Sequence, residues 1–338
     1  MALGLDELLR KAVLDISDGT AGAPIGGGDF GGSGEAALSI EQVTQFLEIM
    51  AAEQVMLSDV RTVTSAASKW NESILLFADR VARPGIEATR LLEVDRIKPG
   101  TSIVEISTVL LRGEVPVSDE TLEDNVAGGN IVGSIQRTLA DKFGFDVEEL
   151  LVNGDTTSGD PYLALLNGWL YQAVNGKYAA TGPQAPNVVV GGPFGKDYQA
   201  IFKAMLQTMP KRYLRGLKTS GRYYVPVVLE QGWRDILSSR GTPLGDLYLT
   251  TDNELRYQGI IVKGVPTFDL GITDDDECTI LLAHKENLYA GWHRSIKFES
   301  FRDPREGATS FLVTARVDAE IAVVNATVAA TGVDVSID

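Results

Sequence analysis

The chain has 338 residues, of which 44% are hydrophobic and 22% charged, and its formal net charge is −16. This is the composition of a folded protein of about two domains, and its charge does not suit a protein that clamps phosphate backbones. No apolar run reaches the roughly 18 residues of a membrane span, the start lacks the pattern of a secretory signal, and a single cysteine, Cys278, excludes an internal disulfide.

The first sixty residues are predicted to form an arm. Residues 4–16 carry apolar side chains at helical spacing, which predicts a short amphipathic helix. Residues 19–34 follow, and half of them are glycine, which is typical of a flexible link. A second helix is predicted to begin after Ser39, a good N-cap residue, and to reach Met50.

Residues 70–117 are predicted to form a long two-stranded excursion. The stretches ESILLFADRV and TSIVEISTVLLRGEVPV are rich in β-branched residues and flank a charged middle. Pro84-Gly85 and Pro99-Gly100 mark turns. A hairpin of this length buries little against its own chain, so we expect it to need a neighbouring subunit.

A long helix is predicted next, because apolar residues recur every three or four positions. Ser118 can act as its N-cap, and Asn153-Gly154 is good C-terminal cap chemistry. The apolar stripe consists of Val132, Ile135, Leu139, Phe143, Val147 and Leu150.

The remainder is predicted to be an α+β region that ends in long strands. Asp197 caps a helix that stops at Pro210, and RYYVPVVL, YQGIIVKGVPTFD and EQGWRDILSS are predicted as two strands and a helix. In FLVTARVDAEIAV, apolar and polar residues alternate, which predicts a half-buried strand. SIKFESFR can pair with it through the turn DPREGATS.

Four motifs invite a chemical interpretation, and each has a simpler one. GGGDFG lacks the preceding strand of a dinucleotide site, and GGPFGKD has Asp197 where a phosphate loop needs Ser or Thr. NGDTTSGD, residues 153–160, fails the spacing of a calcium loop and suits a turn built on Asx and Ser/Thr hydrogen bonds. DDDEC with His284 suits a solvated acidic turn. No catalytic, cofactor-binding or metal-binding residue is therefore predicted.

The order of these parts resembles the major capsid proteins of tailed bacteriophages, which have the Hong Kong-type capsid fold. The resemblance extends from about residue 39 to residue 330. Its most specific pieces are the helix end that runs into NGDTTSGD and the closing IKFESFRD and TSFLVTARVDAEIAVVN.

The resemblance implies an α+β capsid fold with four regions. These are an N-terminal arm (1–60), an extended β-hairpin loop (70–117), a peripheral domain with the spine helix and long strands (118–153 and 290–338), and a mixed axial domain (154–289). NGDTTSGD would be the joint between the last two domains. The implied function is a structural protein, not an enzyme, that self-assembles through pentamers and hexamers into an icosahedral head enclosing dsDNA.

The resemblance also implies partners and a location. The chain has no room for a long assembly extension before the arm, so a separate scaffolding protein is expected, together with a portal and a decoration protein. The protein is expected in the virion, after assembly in the bacterial cytoplasm. Nothing local supports a covalent cross-link between Lys98 and Asn325. Charged loop residues are expected at the subunit interface: Arg80, Arg83, Glu87, Arg90, Asp95 and Lys98.

Two alternatives stay open at the level of sequence. An encapsulin-like nanocompartment shell has the same fold but holds cargo enzymes in place of a genome. A metal-dependent enzyme using Asp155, Asp160 or His284 would instead bind metal and form a compact small oligomer.

Overall fold

The computed structural model describes residues 36–37, 54–76, 82, 90, 100–118, 131–179, 182–239, 254–273, 276–293 and 296–336. The chain divides into two units, Met1–Ala36 and Ala37–Asp338, and the architecture below is that of the second. The helices predicted at 4–16 and 39–50, the glycine-rich link and most of the hairpin tip lie outside the described residues.

The described strands are β1 Ala36–Ala37, β2 Arg61–Ser65, β3 Lys69–Leu76, β4 Gly100–Ser107, β5 Val109–Ser118, β6 Lys177–Ala179, β7 Gly182–Gln184, β8 Val188–Val190, β9 Gly221–Val225, β10 Arg256–Tyr257, β11 Ile260–Gly264, β12 Glu277–His284, β13 Leu288–His293, β14 Lys297–Asp303, β15 Ala308–Ile321 and β16 Thr327–Asp334. The described helices are α1 Ile131–Asn153, α2 Trp169–Asn175, α3 Tyr198–Thr208, α4 Lys211–Leu214, α5 Leu217–Ser220, α6 Val227–Ser238 and α7 Pro266–Asp269.

The first sheet is built around β15. β14 and β13 pair with one edge of this strand, and β5 pairs with the other edge over Ala308–Val317, all antiparallel. β2 extends the sheet by pairing parallel to β13. The predicted alternation of β15 and its pairing with SIKFESFR are both confirmed, because every second side chain from Phe311 to Ile321 is buried.

Helix α1 covers one face of this sheet. Its buried residues Ala140, Phe143, Val147 and Leu150 belong to the same apolar core as Val313 and Val317 of β15. Of the predicted stripe, Phe143, Val147 and Leu150 are thus buried in the core, and Leu139 packs against it. The helix ends at Asn153 as predicted. Ser118, the predicted N-cap, is the last residue of β5 and pairs with Ala308.

The second sheet has the strand order β10-β11-β9-β12-β16-β8. Its core is rich in aromatic side chains: Phe202 of α3, Tyr223 of β9, Trp233 of α6 and Tyr257 of β10 have ring centroids 4.7 to 6.3 Å apart. Such tilted and edge-on pairs add to the burial energy of the rings themselves. The helix capped by Asp197 and the helix in EQGWRDILSS are confirmed. The two predicted strands are confirmed only in part, because β9 ends at Val225 and β11 at Gly264, and the ends of both predicted stretches are helical in α6 and α7.

The predicted hairpin is present between β3 and β4, which pair antiparallel from Lys69↔Ser107 to Leu76↔Gly100. Its base rests on the first sheet. Ile106 is buried in a small core with Tyr289 and Ala322, and Trp70 packs against that core. The hairpin therefore begins as part of the folded subunit.

Three stretches lie outside the regions that the sequence analysis assigned to them. The sequence pattern assigns β5 to the hairpin, but β5 pairs with β15 along its whole length. The resemblance implies that β16 belongs to the peripheral domain, but β16 lies between β12 and β8 in the second sheet. Residues 54–60, the end of the predicted arm, bury Met56 and Leu57 in the core of their own chain. Local patterns alone do not specify which sheet a strand joins.

The contact between the hairpin and the first sheet predicts the effect of one substitution. A Cβ at Gly291 would lie 2.5 Å from Ile106 Cγ2 and 3.5 Å from the Trp70 ring. We expect Gly291→Ala to lower the free energy of unfolding by about 1–3 kcal/mol, as overpacking does elsewhere. Gly159→Ala is the control, because a Cβ there meets nothing within 4 Å. Equal chemical unfolding midpoints for the two variants would contradict the packing.

Candidate assembly surfaces and the polar joints behind them

The segment NGDTTSGD is a self-bonded turn. Asp155 Oδ1 accepts hydrogen bonds from Thr157 N (2.7 Å) and Thr157 Oγ1 (2.6 Å), and Asp160 Oδ1 accepts one from Tyr162 N (2.8 Å). Thr156 donates to Asn167 Oδ1 through both its N–H and its hydroxyl. The predicted Asx and Ser/Thr hydrogen bonds are confirmed, and the carboxylates of this loop are engaged in holding its shape.

Two glycines close this joint against the helix end. Gly154 N donates to Leu150 O at 3.0 Å, and Gly168 N donates to Gly154 O at 2.8 Å. A Cβ on Gly168 would come within 2.6 Å of Val152 O, and one on Gly154 within 2.5 Å of Leu150 O. The backbones approach so closely that only glycine fits at these positions. The joint therefore fixes the direction in which the chain leaves α1.

The other residues considered for chemistry have structural partners. His284 lies between two elements: Ser220 Oγ is 2.8 Å from its Nδ1, and Tyr213 O is 3.0 Å from its Nε2. Burial raises the pKa of the Cys278 thiol to about 12, which suppresses the reactive thiolate. Asp197 caps α3 by accepting from Ala200 N, as predicted. The described residues contain no group of three or more His, Cys, Asp and Glu arranged to hold a metal ion.

A buried carboxylate joins three separate segments. Glu148 of α1 accepts hydrogen bonds from the backbone N–H of Met56 (3.1 Å) and Leu57 (3.2 Å) through Oε2, and from Thr267 Oγ1 (3.4 Å) through Oε1. Burial raises the pKa of the Glu148 carboxyl, while these donors oppose the rise. The segment 54–60 is thereby fixed to the spine helix.

The same segment is fixed a second time by Asp59. Its Oδ2 accepts a hydrogen bond from Tyr224 OH at 3.2 Å and lies 3.3 Å from Arg222 Nε and 3.7 Å from Lys263 Nζ. All three partners belong to the second sheet. Segment 54–60 thus connects the helix of the first core to the sheet of the second.

At the base of the hairpin, a group of charged side chains lies on β15. Asp318 Oδ2 accepts a hydrogen bond from Ser107 N at 2.6 Å, at the last residue of β4. Glu320 forms an ion pair with Lys177, the first residue of β6. Burial raises the pKa of Asp318 to about 6 and that of Glu320 to about 7. For Glu320, desolvation outweighs the attraction of Lys177.

Gln172 of helix α2 completes the edge of β15 where β5 ends. β5 pairs with β15 only as far as Val317. Beyond that point, Gln172 Nε2 donates to Ala319 O (2.6 Å) and Gln172 Oε1 accepts from Ile321 N (3.0 Å). A buried side-chain amide therefore replaces a strand, which satisfies backbone groups that would otherwise be costly to bury. Sequence reasoning gave no signal for this contact, since a lone Gln carries no pattern.

The face of the first sheet that points away from α1 is exposed along β5 and at Phe301 of β14 in the part of the chain that the structure describes. On β5, Leu110 is 54% exposed and Arg112, Glu114 and Pro116 are exposed as well. Phe301 of β14, opposite Ser310 in the register, is 44% exposed. We call this the outer sheet face. It combines apolar side chains with an exposed ion pair between Arg112 and Glu114 at 3.5 Å.

Of the six charged residues predicted at the subunit interface, the structure describes one. Arg90 is exposed. Arg80, Arg83, Glu87, Asp95 and Lys98 lie outside the described residues.

Comparisons with known proteins place this arrangement among capsid proteins. The chain is 29% identical over 282 residues to a putative prophage capsid protein, YqbE, of Bacillus subtilis (strain 168), a match that covers 82% of this chain and 86% of that protein. The structure matches the satellite phage P4 procapsid including size determination (Sid) protein with a TM-score of 0.61 and 14% identity, over 99% of this chain and 100% of that one. No protein-family model matches the chain.

The chain has the Hong Kong-type phage capsid fold. The capsid of a native GTA particle matches it with a TM-score of 0.59 and 14% identity, over 84% of this chain and 90% of that one. A Microbacterium phage, Oxtober96, matches it with a TM-score of 0.52 and 15% identity, over 83% and 91%. These likenesses are to capsid proteins, and the structural ones show the fold that this chain shares with them. None of the helices that the structure describes is both long and apolar enough to cross a membrane.

The carboxylates at the hairpin base predict how stability depends on pH. The raised pKa of Asp318 means that the folded chain binds this proton more tightly than the unfolded chain, whose value is near 3.8. Stability from this group is therefore present at low pH and lost as the pH rises through about 6. Between about pH 4.5 and pH 7, we expect the unchanged protein to lose about 1–3 kcal/mol more of its unfolding free energy than Asp318→Asn.

The matched control is Asp235→Asn, which changes an exposed carboxylate of α6. Its stability should follow that of the unchanged protein across the same pH range. Unfolding free energies are measured by chemical denaturation at each pH. Parallel curves for the unchanged protein and Asp318→Asn would contradict the buried, proton-binding carboxylate.

Proposed function

We propose that this capsid protein assembles through pentamers and hexamers into the icosahedral head of a tailed phage, which encloses dsDNA. The observation that carries the proposal is the outer sheet face with the hairpin beside it. Together they present apolar, charged and backbone groups that the described part of the chain leaves uncovered.

The outer sheet face has the composition of a surface that becomes buried on assembly. Leu110 and Phe301 expose large apolar side chains on one face, and β5 has no strand described on its second edge. An open edge with apolar neighbours favours association with another chain. Arg112 and Glu114 supply the charges that set which partner and which register are accepted.

The hairpin supports the same proposal. Among the described strands, β3 and β4 pair only with each other, and the buried side chains that join them to the rest of the subunit are at the base. A two-stranded ribbon gains stability only when a further surface covers it. We propose that it lies over the neighbouring subunit, and that Arg80, Arg83, Glu87, Arg90, Asp95 and Lys98 form salt bridges there.

The described elements suggest how the capsid domains are divided. We assign the peripheral domain to the first sheet with α1, and the axial domain to the second sheet with its helices and β16. The extended loop is β3, β4 and the residues between them, and the arm precedes residue 54. The turn at residues 153–160, where α1 ends, is the joint between the two domains.

Further partners follow from the physics of a closed shell. A formal charge of −16 per chain repels dsDNA, which keeps the genome from adhering to the wall. We propose that a separate scaffolding protein directs assembly, and that a portal and a decoration protein complete the particle. These partners would bind through shared surfaces, with the arm and hairpin becoming ordered on assembly.

The assembly proposal is tested by expressing the capsid protein alone and together with candidate scaffolding proteins. We expect closed shells, or free pentamers and hexamers, in electron micrographs and light scattering of the soluble product. A monodisperse monomer or dimer under every condition would contradict the proposal. Shells that package protein cargo and no DNA in infected cells would contradict the phage-head assignment alone.

The role of the hairpin charges is tested by Arg83→Glu/Arg90→Glu. Reversing two charges in every contact removes attraction of about 1–2 kcal/mol, so assembly should need roughly tenfold more protein. The shift should shrink at high salt, since exposed pairs are screened. Arg212→Glu/Arg215→Glu, with the same charge change outside the hairpin, is the control. Equal assembly thresholds, measured by light scattering against concentration, would show that the tip is merely solvated.

A further inference from the structure

The axial domain carries a basic segment in an acidic protein. Residues 198–229 contain six basic residues and no acidic one, although the chain as a whole has a formal charge of −16. Three of the six, Lys203, Lys211 and Lys218, stand around one groove of about 520 Å³. Within the part of the chain that the structure describes, none of these three lysines forms an ion pair.

The floor and walls of this groove, which we call the axial groove, are apolar. Buried Met209, Leu217 and Ile260 form the floor, and the partly buried Leu206 and Leu214 form the walls. An apolar floor inside a rim of ammonium groups suits an apolar side chain flanked by carboxylates. It suits nucleic acid less, because phosphate contacts come from basic and polar groups and gain nothing from such a floor.

The same domain presents a segment with the complementary chemistry. Leu270, directly after α7, is 54% exposed. Four successive acidic residues follow shortly after it in the sequence DLGITDDDEC. Two of them, Asp276 and Glu277, are described, and both are exposed. The exposed leucine matches the apolar floor of the axial groove, and the neighbouring carboxylates match its lysines.

The sheet topology keeps the two features apart within one subunit. The axial groove lies where β9 and β11 begin, at Leu217 and Ile260, and these strands run parallel. β12 runs antiparallel to β9, with His284 opposite Gly221, so Glu277 lies at the far end of the sheet. The eight residues of β12 span roughly 20 Å at the usual rise per residue. The Leu270 segment of one chain therefore does not fill the groove of the same chain.

We propose that the Leu270 segment of one subunit inserts into the axial groove of a second copy of this chain, with its carboxylates against Lys203, Lys211 and Lys218. A donor and an acceptor at opposite ends of one domain make a head-to-tail contact, and repetition of such a contact with rotation closes a ring. This inference rests on the proposed assembly through pentamers and hexamers, and it names the contact that links neighbouring axial domains.

Two complementary variants test this contact. Lys211→Glu/Lys218→Glu damages the groove and leaves the Leu270 segment intact, whereas Leu270→Ser/Glu277→Lys does the reverse. Each alone should raise the concentration needed for ring or shell assembly at least tenfold, as measured by mass photometry. When the two variants are mixed one to one, a pair made of one copy of each contains one intact segment and one intact groove. Such a mixture should therefore form dimers that neither variant forms alone. A contact of any other geometry does not predict this rescue.

Arg212→Glu/Arg215→Glu controls for charge, because it changes the same number of charges in the same basic segment without lining the groove. Assembly of this control should stay within about threefold of the unchanged chain, as expected for exposed charges away from a contact. Equal defects in the control and in the groove variant would contradict specific docking. So would the absence of dimers in the mixture. Lys211→Gln/Lys218→Gln, which neutralises without reversing, should show a smaller defect in the same direction.

A peptide titration separates failure of this inference from failure of the proposed function. A labelled peptide of residues 268–279 should bind the full-length protein at least tenfold more tightly than its Leu270→Ser form, by fluorescence anisotropy. It should lose binding to Lys211→Glu/Lys218→Glu. Selective peptide binding without assembly would uphold the groove and refute the shell, while assembly unaffected by the groove variants would refute the groove alone. Binding of a DNA oligonucleotide in preference to the peptide would overturn the proposed occupant.

Discussion

The strand Ala308–Ile321 has hydrogen-bonding partners along both edges, and the arrangement of the described subunit depends on it. β5 pairs with one edge, β13 and β14 with the other, and α1 packs on one face. Where β5 ends, Gln172 bonds the strand, and Asp318 holds the last residue of β4. The buried backbone groups of this strand all need hydrogen-bond partners. The strand therefore sets the positions of the neighbouring strands and of the hairpin, and its buried face packs against the spine helix.

The hydrogen bonds and ion pairs of Glu148 and Asp59 hold two apolar cores together in one subunit. Glu148 and Asp59 fix residues 54–60 between the spine helix and the second sheet, and β16 carries the chain from the first sheet into the second. Buried carboxylates stabilise such a junction only when every acceptor is used. Glu148 and Asp59 are thus engaged within the subunit, whereas the outer sheet face and the axial groove expose groups that no other described residue covers.

The sequence predicted those parts of the fold that depend on local chemistry. The alternation of β15, the end of α1 at Asn153 and the Asp197 cap each follow from neighbouring residues alone. The partner of β5 could not be predicted, because its two-residue period suits either the hairpin or the large sheet. The roles of Gln172 and Glu148 depend on contacts with residues far away in the chain. The axial groove likewise forms only where α3, α4, α5 and β11 meet, so no local sequence motif predicts it.

The most direct test of this account is hydrogen–deuterium exchange on the free subunit and on the assembled particle. Amides of Ala308–Ile321 should be strongly protected in both states, because their partners lie within one chain. Amides of Val109–Ser118 on the open edge, of the hairpin, and around Leu270 should gain protection of at least tenfold on assembly. Unchanged exchange at all three places, or weak protection of Ala308–Ile321 in the free subunit, would contradict a prebuilt core whose outer surfaces are completed by neighbouring copies.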